Sequence, residues 1–206
     1  MDQESPTTPE SREIGTGRLE AFSDGVLAVI ITIMVLEIRP PLGGDFAALA
    51  PLIPKLLVYV LSFAFIGIYW NNHHQTLHAT RRISAGVMWS NLHLLFWLSL
   101  VPLATEWSGV HPGLPWPSIA YGFIGFMAGV AYYILIRAII KANKDTGIEA
   151  AIGRDVKGKA SLVIYSVGMA VAAIGLANGS VIYPLLAYLI FACVSVMWFI
   201  PDRRLN

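Results

Sequence analysis

The sequence is poor in cysteine and in charged residues, and both shortages exclude classes of protein. The one cysteine, Cys193, lies in an apolar stretch, so an intrachain disulfide and a cysteine-based metal site are both excluded. Charged residues make up 13% of the 206 residues, whereas hydrophobic residues make up 56%. This composition is far more apolar than that of a soluble domain of the same length. The chain is therefore predicted to be a polytopic membrane protein.

Motifs typical of enzymes and of secreted proteins are also missing. The sequence has no recognisable Ser/His/Asp set, pair of catalytic acids or phosphate-binding glycine loop, so an enzyme is not expected. No basic segment leads into a short apolar stretch with a small-residue cleavage site, so no cleavable signal is predicted. Residues 1–17 are rich in Pro, Ser, Thr and acidic residues, and they are predicted to form a disordered cytoplasmic tail.

Six apolar stretches are long enough to cross a bilayer, which takes about 20 helical residues. They are separated by short polar or Pro- and Gly-rich stretches, and the last two are joined by the turn Asn178-Gly179-Ser180. The predicted spans cover residues 19–38, 54–77, 85–107, 116–140, 160–178 and 181–200. Residues 18–206 are therefore predicted to form one all-α transmembrane domain of six helices.

Lys and Arg residues are distributed unequally between the two ends of these spans. With the N-terminus in the cytoplasm, all fourteen basic residues except Arg39 and Lys55 fall on the cytoplasmic side. Because basic residues in short loops favour that side, both termini are predicted to be cytoplasmic. The same rule explains the basic inner face, so a nucleic-acid partner is not expected.

An acidic residue, Asp24, lies near the start of the first apolar span. A carboxylate is costly to place in a membrane, and within a span it usually has a function and a partner. At about 1.5 Å per residue, Asp24 lies roughly 9 Å along the helix from Arg18, near the membrane interface. Arg18 is a candidate counter-charge, although the i, i+6 spacing puts the two on different helix faces. Two interpretations stay open: a functional acid, or an acid that stabilises the positive end of the helix dipole.

The first span carries an apolar stripe on the side opposite Asp24. At about 100° per residue, Val29, Ile33 and Leu36 fall on one stripe, and Thr32 flanks it. From the spacing alone, such a stripe is typical of lipid contact or of core packing. The polar face of the same helix must be satisfied by neighbouring helices, because the bilayer core offers no water.

The second and third spans are polar toward their cytoplasmic ends. His73, His74 and His78 fall within six residues, and His74 and His78 share a helical face. That spacing occurs in metal sites, but no Glu follows His74 in a His-Glu-x-x-His pattern and no third ligand is evident. Hydrogen-bonding histidines are therefore expected, without a metal or another cofactor. Asp24, His73 and Asn91 lie toward the same ends of adjacent spans, so these three residues are expected to meet.

Glycines recur at close intervals in the fourth and fifth spans. Gly122, Gly125 and Gly129 lie in the fourth span, and Gly168 and Gly175 lie in the fifth. Small residues at such spacing let helices approach closely in lipid, where packing drives association. These spans are therefore expected to form a tightly packed scaffold.

Together, the polar residues of the first three spans resemble those of a known membrane family. The pattern Arg18-x-x-x-Phe22-Ser23-Asp24-Gly-x-x-Ala28-x-x-x-Thr32 is followed by Trp70-x-x-His73, by Asn91-Leu-x-Leu-Leu-Phe and by Pro102. This order resembles the bacterial members of the transmembrane protein 175 family, relatives of the lysosomal potassium channel. The Phe-Ser-Asp segment and the Trp-x-x-His pattern are specific, because neither hydrophobicity nor helix propensity requires them.

The resemblance implies a homotetrameric potassium channel, embedded in the lipid of the bacterial plasma membrane and conducting potassium ions passively. Four copies of the first helix would line the pore and select potassium without a Thr-Val-Gly-Tyr-Gly filter, which this sequence lacks. Val29, Ile33 and Leu36 would form apolar constriction rings, and Thr32 would form a hydroxyl layer. The family usually has Ile or Leu at the place of Val29, so a wider constriction is implied here.

The resemblance also implies a structural network that holds the pore helix against its neighbours. Its members would be Arg18, Phe22, Ser23, Asp24, His73 and Asn91. An alternative from another class is a proton-coupled transporter in which Asp24 and His73 relay protons. The sequence also leaves open a purely structural membrane protein.

Overall fold

The computed structural model describes residues 16–147, 149 and 155–199, and every regular element in this part of the chain is helical. The α-helices are α1 (Thr16–Leu36), α2 (Ile53–His78), α3 (Ala85–Ser99), α4 (Val101–Val110), α5 (Pro115–Ala142), α6 (Val156–Asn178) and α7 (Ile182–Phe199). Short 3-10 helices cover Phe46–Leu52 and Lys144–Thr146. Of the predicted disordered tail, residues 1–15 lie outside the described residues, whereas residues 16 and 17 belong to α1.

Six helical segments of the described chain are long and apolar enough to cross a membrane. They are α1, the 3-10 helix with α2, α3 with α4, α5, α6 and α7. This confirms the predicted all-α class and the six spans of a multi-pass membrane protein. The third span differs from the prediction because it is divided at Leu100, before Pro102 in the first turn of α4. Proline has no backbone N–H to donate, so it fits a helix start better than a helix interior.

Glycines bring α5, α6 and α7 together. A Cβ atom at Gly122 or Gly168 would lie 2.5 Å or 2.3 Å from the ring of Phe191, and one at Gly125 would lie 2.7 Å from the ring of Tyr165. Both rings are buried, so they occupy the space that larger side chains would fill. This agrees with the expectation that small residues let these spans approach closely.

A buried asparagine fastens the α2–α3 connection to the end of α5. The Oδ1 atom of Asn143 accepts hydrogen bonds from the backbone N–H groups of Arg81 (3.2 Å) and Arg82 (2.8 Å). Its Nδ2 atom donates to the carbonyl oxygens of Arg82 (3.1 Å) and Ile139 (3.0 Å). The side chain is fully buried, so it takes the place of water for these backbone groups. These bonds put the end of α2, the start of α3 and the end of α5 on one face of the bundle.

At the opposite face, one lysine joins the ends of three helices. Lys55 of α2 forms an ion pair with Glu106 of α4, with Nζ 2.6 Å from Oε2. It also donates a hydrogen bond to the carbonyl oxygen of Glu37, which directly follows α1. A Cβ atom at Gly109 would lie 2.8 Å from the Cγ atom of Lys55, so glycine leaves room for the lysine stem.

Replacing Asn143 with Ala is expected to lower the free energy of unfolding by about 2–3 kcal/mol, because it leaves buried backbone groups unpaired. Thermal unfolding of the purified protein in detergent measures this loss. Asn71→Ala is the matched control, since Asn71 is exposed on α2 and its Oδ1 accepts only a 3.4 Å bond from Gln75. Equal losses in the two variants would contradict the role assigned to Asn143.

Candidate functional site on the first helix

The first helix, α1, has one buried stripe and one exposed stripe. It packs against α2, α3 and α4. The buried residues recur at intervals of three or four, as one face of a helix requires, and they are Leu19, Ser23, Leu27, Ile30 and Met34. The residues on the opposite side of the helix, Phe22 and Val29 among them, are exposed. The rotation of α1 about its axis is therefore fixed by this buried stripe.

The residues predicted to form apolar rings lie on the exposed side of α1. Val29 is 55% exposed, Leu36 is 78% exposed, and Ile33 is also exposed. Thr32 lies among them, and its Oγ1 atom donates a hydrogen bond to the carbonyl oxygen of Val29 at 2.9 Å. A largely apolar surface with one hydroxyl thus runs along the helix. Nothing in the described part of the chain covers it.

The buried side of α1 is held by a chain of hydrogen bonds. The Oγ atom of Ser23 donates to the carbonyl oxygen of Leu19 at 2.8 Å and accepts from Nδ2 of Asn91 in α3 at 2.9 Å. Oδ1 of Asn91 lies 2.7 Å from Nε2 of His73 in α2. An amide oxygen only accepts, so we infer that His73 carries its proton on Nε2. These three side chains are completely buried, and they join α1, α2 and α3.

Asp24 has a different partner from the one that the sequence suggests. Its Oδ1 atom accepts a hydrogen bond from the Nε1–H group of Trp70 in α2 at 3.1 Å. Asp24, His73 and Asn91 were expected to meet. The structure brings His73 and Asn91 into contact, and it gives Asp24 a separate bond to α2.

Two residues of the predicted network lie apart from these bonds within the single chain. Arg18 and Phe22 are exposed on α1. Each is related to Val29 by a whole number of helical turns, so both extend the exposed stripe rather than the buried one. Within the described residues, no ion pair joins Arg18 to Asp24. In the described chain their side chains therefore face away from α2 and α3.

Sequence reasoning gave no role to Glu20, and it considered His74 only together with the other histidines of α2. Both residues lie next to Asp24. Oε1 of Glu20 lies 2.7 Å from Nδ1 of His74. Ligand atoms of Glu20, Asp24 and His74 all lie within 4.8 Å of one another. The sequence signal for this contact was the i, i+4 spacing of Glu20 and Asp24 and of Trp70 and His74. Residues at this spacing share one helix face, so each of the two helices presents a pair of polar or aromatic side chains on one face.

A second buried polar group lies beside the opposite half of α1. Oγ of Ser62 lies 2.7 Å from Oγ1 of Thr105 and 3.0 Å from the hydroxyl of Tyr121. Oγ1 of Thr105 lies 2.7 Å from the carbonyl oxygen of Val101 and 3.8 Å from Sδ of Met34. These contacts join α2, α4 and α5 next to α1. Hydroxyl groups in a membrane need partners inside the protein, and here they have them.

Two sequence comparisons find similar proteins, one over the first half of the chain and one over nearly all of it. The family model for the endosomal/lysosomal potassium channel TMEM175 matches residues 18–102, which run from α1 to the start of α4. A protein named as a potassium channel from Chryseobacterium sp. (strain P1-3) is 43% identical over 191 residues. That match covers 92% of this chain and 95% of the relative.

The fold and the more distant relatives agree with this similarity. The crystal structure of a lysosomal potassium-selective channel TMEM175 homolog from Chamaesiphon minutus matches with a TM-score of 0.71 at 26% identity, covering 89% of this chain and 96% of that chain. The human protein named as the endosomal/lysosomal proton channel TMEM175 is 34% identical over 102 residues, which are 43% of this chain and 20% of the human one. The nearly full-length match to the Chryseobacterium relative shows that this chain belongs to the TMEM175 family, a family of membrane channels and not of enzymes.

Proposed function

We propose that this chain forms a homotetrameric potassium channel in which four copies of α1 line a central pore. One observation carries the proposal: α1 is anchored on one side by buried polar bonds, while Val29 and Leu36 are exposed on the other. Around a fourfold axis, that exposed stripe would face its own copies. The names of the Chryseobacterium and Chamaesiphon relatives, both called potassium channels, support the choice of ion.

The proposed barrier to ions is an apolar constriction. Rings of Val29, Ile33 and Leu36 would narrow the pore and favour its dewetting, so that a cation passes only after it loses part of its water shell. The hydroxyl of Thr32 donates its hydrogen bond to the carbonyl oxygen of Val29. The lone pairs of the hydroxyl oxygen therefore remain free to contact a cation. Potassium loses water more readily than sodium, so this arrangement favours potassium.

We also propose that both termini are cytoplasmic and that the membrane is the bacterial plasma membrane. Arg81, Arg82 and Lys141 lie on the face of the bundle that Asn143 holds together. Lys55 lies at the opposite face. Because positively charged connections favour the cytoplasm, the face with Asn143 is the inner one.

Proton conduction is a second candidate, because the human relative is named as a proton channel. The proton-coupled transporter that the sequence left open has less support. Its relay needs Asp24 next to His73, but among the described residues Asp24 bonds to Trp70 and His73 bonds to Asn91. The relatives are named as channels, so passive conduction is favoured over coupled transport.

Liposomes that contain the purified protein are expected to pass potassium faster than sodium, without saturation, when a proton ionophore balances the charge. Fluorescence of a pH-sensitive dye records the flux. Omitting the ionophore tests the second candidate, since flux would then continue only if the protein itself passed protons. Folded protein that passes neither cation would overturn the proposed channel.

Val29→Ala is expected to widen the constriction and to raise sodium permeability relative to potassium by about fivefold, which corresponds to about 1 kcal/mol in the barrier. Ion-substitution measurements in liposomes give the permeability ratio. Val163→Ala is the matched control, because Val163 is a similarly exposed valine on α6. An unchanged ratio in the Val29 variant would show that this residue does not line the pathway.

Asp24→Ala is expected to destabilise the assembled protein by about 1–2 kcal/mol, since the Trp70 N–H group loses its acceptor. Asp24→Asn keeps an acceptor oxygen in the same place, so it should retain most of the stability. Thermal unfolding and size-exclusion chromatography in detergent measure both effects. A well-assembled Ala variant with altered ion selectivity would instead place Asp24 in the pathway.

A further inference from the structure

We propose that Glu20, Asp24 and His74 form a binding site for a divalent transition-metal ion, with zinc as the best fit. The three residues come from two helices, and their ligand atoms lie within 4.8 Å of one another. Two carboxylates and one imidazole are a donor set that Zn²⁺ accepts, whereas Mg²⁺ and Ca²⁺ prefer oxygen ligands alone. The site does not depend on the proposed channel function.

The observed distances are close to those that a zinc ion requires. Tetrahedral zinc with bonds of about 2.0–2.2 Å holds its ligand atoms about 3.4 Å apart. Oε1 of Glu20 and Nδ1 of His74 are 2.7 Å apart, so this pair would open slightly as a metal replaces the proton between them. The remaining separations, which are at most 4.8 Å, would close by up to about 1.4 Å, which side-chain rotation can supply. Water would complete the fourth position.

Residues outside the cluster orient two of its three ligands. The Nε1–H group of Trp70 donates to Oδ1 of Asp24 at 3.1 Å, which leaves the other carboxylate oxygen for a metal. The ring of His74 stacks between Trp70 and His78, with ring centroids 5.8 Å and 6.2 Å away. Such outer contacts fix the orientation of metal ligands. The rings of α2 thus hold His74 toward α1.

Charge and access also favour a cation at this place. The two carboxylates lie one helical turn apart on α1. Among the described residues, Glu20 forms an ion pair with His74, and Asp24 forms none. A divalent ion would neutralise both carboxylates at once. The side chain of His74 is 46% exposed, so an ion can reach the cluster from water. Once bound, the ion would tie α1 directly to α2.

Titration calorimetry with zinc chloride, on the purified full-length protein in detergent, tests the site. We expect one zinc ion per chain, with affinity lowered about 10–100-fold or more in Glu20→Gln and in His74→Asn. His111→Ala is the control, because it removes an exposed histidine at the end of α4, outside the cluster. Magnesium and calcium chloride are expected to bind far more weakly than zinc.

Thermal unfolding provides a second measurement on the same samples. Zinc should raise the unfolding temperature of the native protein and of His111→Ala, but not that of the two ligand variants. Unfolding curves recorded without metal test whether the ligand variants are folded. Three results would overturn the site: no zinc binding by the folded native protein, equal zinc affinity in the ligand variants, or magnesium binding as tight as zinc binding. Because no ion gradient is used, these results do not depend on channel activity.

Discussion

The chain of hydrogen bonds from Ser23 through Asn91 to His73 decides which side of α1 faces the protein. In a membrane, an asparagine or histidine turned toward lipid would lose its partners without gaining water. Rotation of α1 by even one residue position would break the bond between Ser23 and Asn91. Since the rotation is fixed, Val29 and Leu36 have to lie on the outer surface of the single chain.

Contacts further along the helix keep this rotation over its whole length. Met34 is buried next to Thr105, and the hydroxyl of Thr105 is in turn held by Ser62. At the end of α1, Lys55 bonds to the carbonyl oxygen of Glu37 and pairs with Glu106. Polar contacts therefore hold the helix in its first half, at Ser23, and near its end, at Met34 and Glu37. This fixes the orientation of its exposed stripe relative to the rest of the chain.

Apolar length was enough to predict the six spans, but it could not predict the division of the third span at Leu100. The contact between His73 and Asn91 was predictable, because both residues lie at the same level of adjacent spans. The partners of Asp24 and Glu20 were not predictable. An i, i+4 pair of acids at a helix end has the same sequence pattern whether it faces water or a neighbouring helix. The histidines were weighed as metal ligands along α2 alone, whereas the two carboxylates that complete the cluster come from α1.

Three consecutive residues, Phe22, Ser23 and Asp24, show how a short segment can determine the orientation and contacts of a whole helix. Successive residues of a helix point about 100° apart, so three in a row face three different surroundings. Phe22 lies on the exposed stripe, Ser23 is buried against α3, and Asp24 reaches Trp70 on α2. An aromatic, a small hydroxyl and an acid meet these three requirements in that order. The segment therefore sets the rotation of α1, its attachment to α2 and the side of the helix that stays exposed.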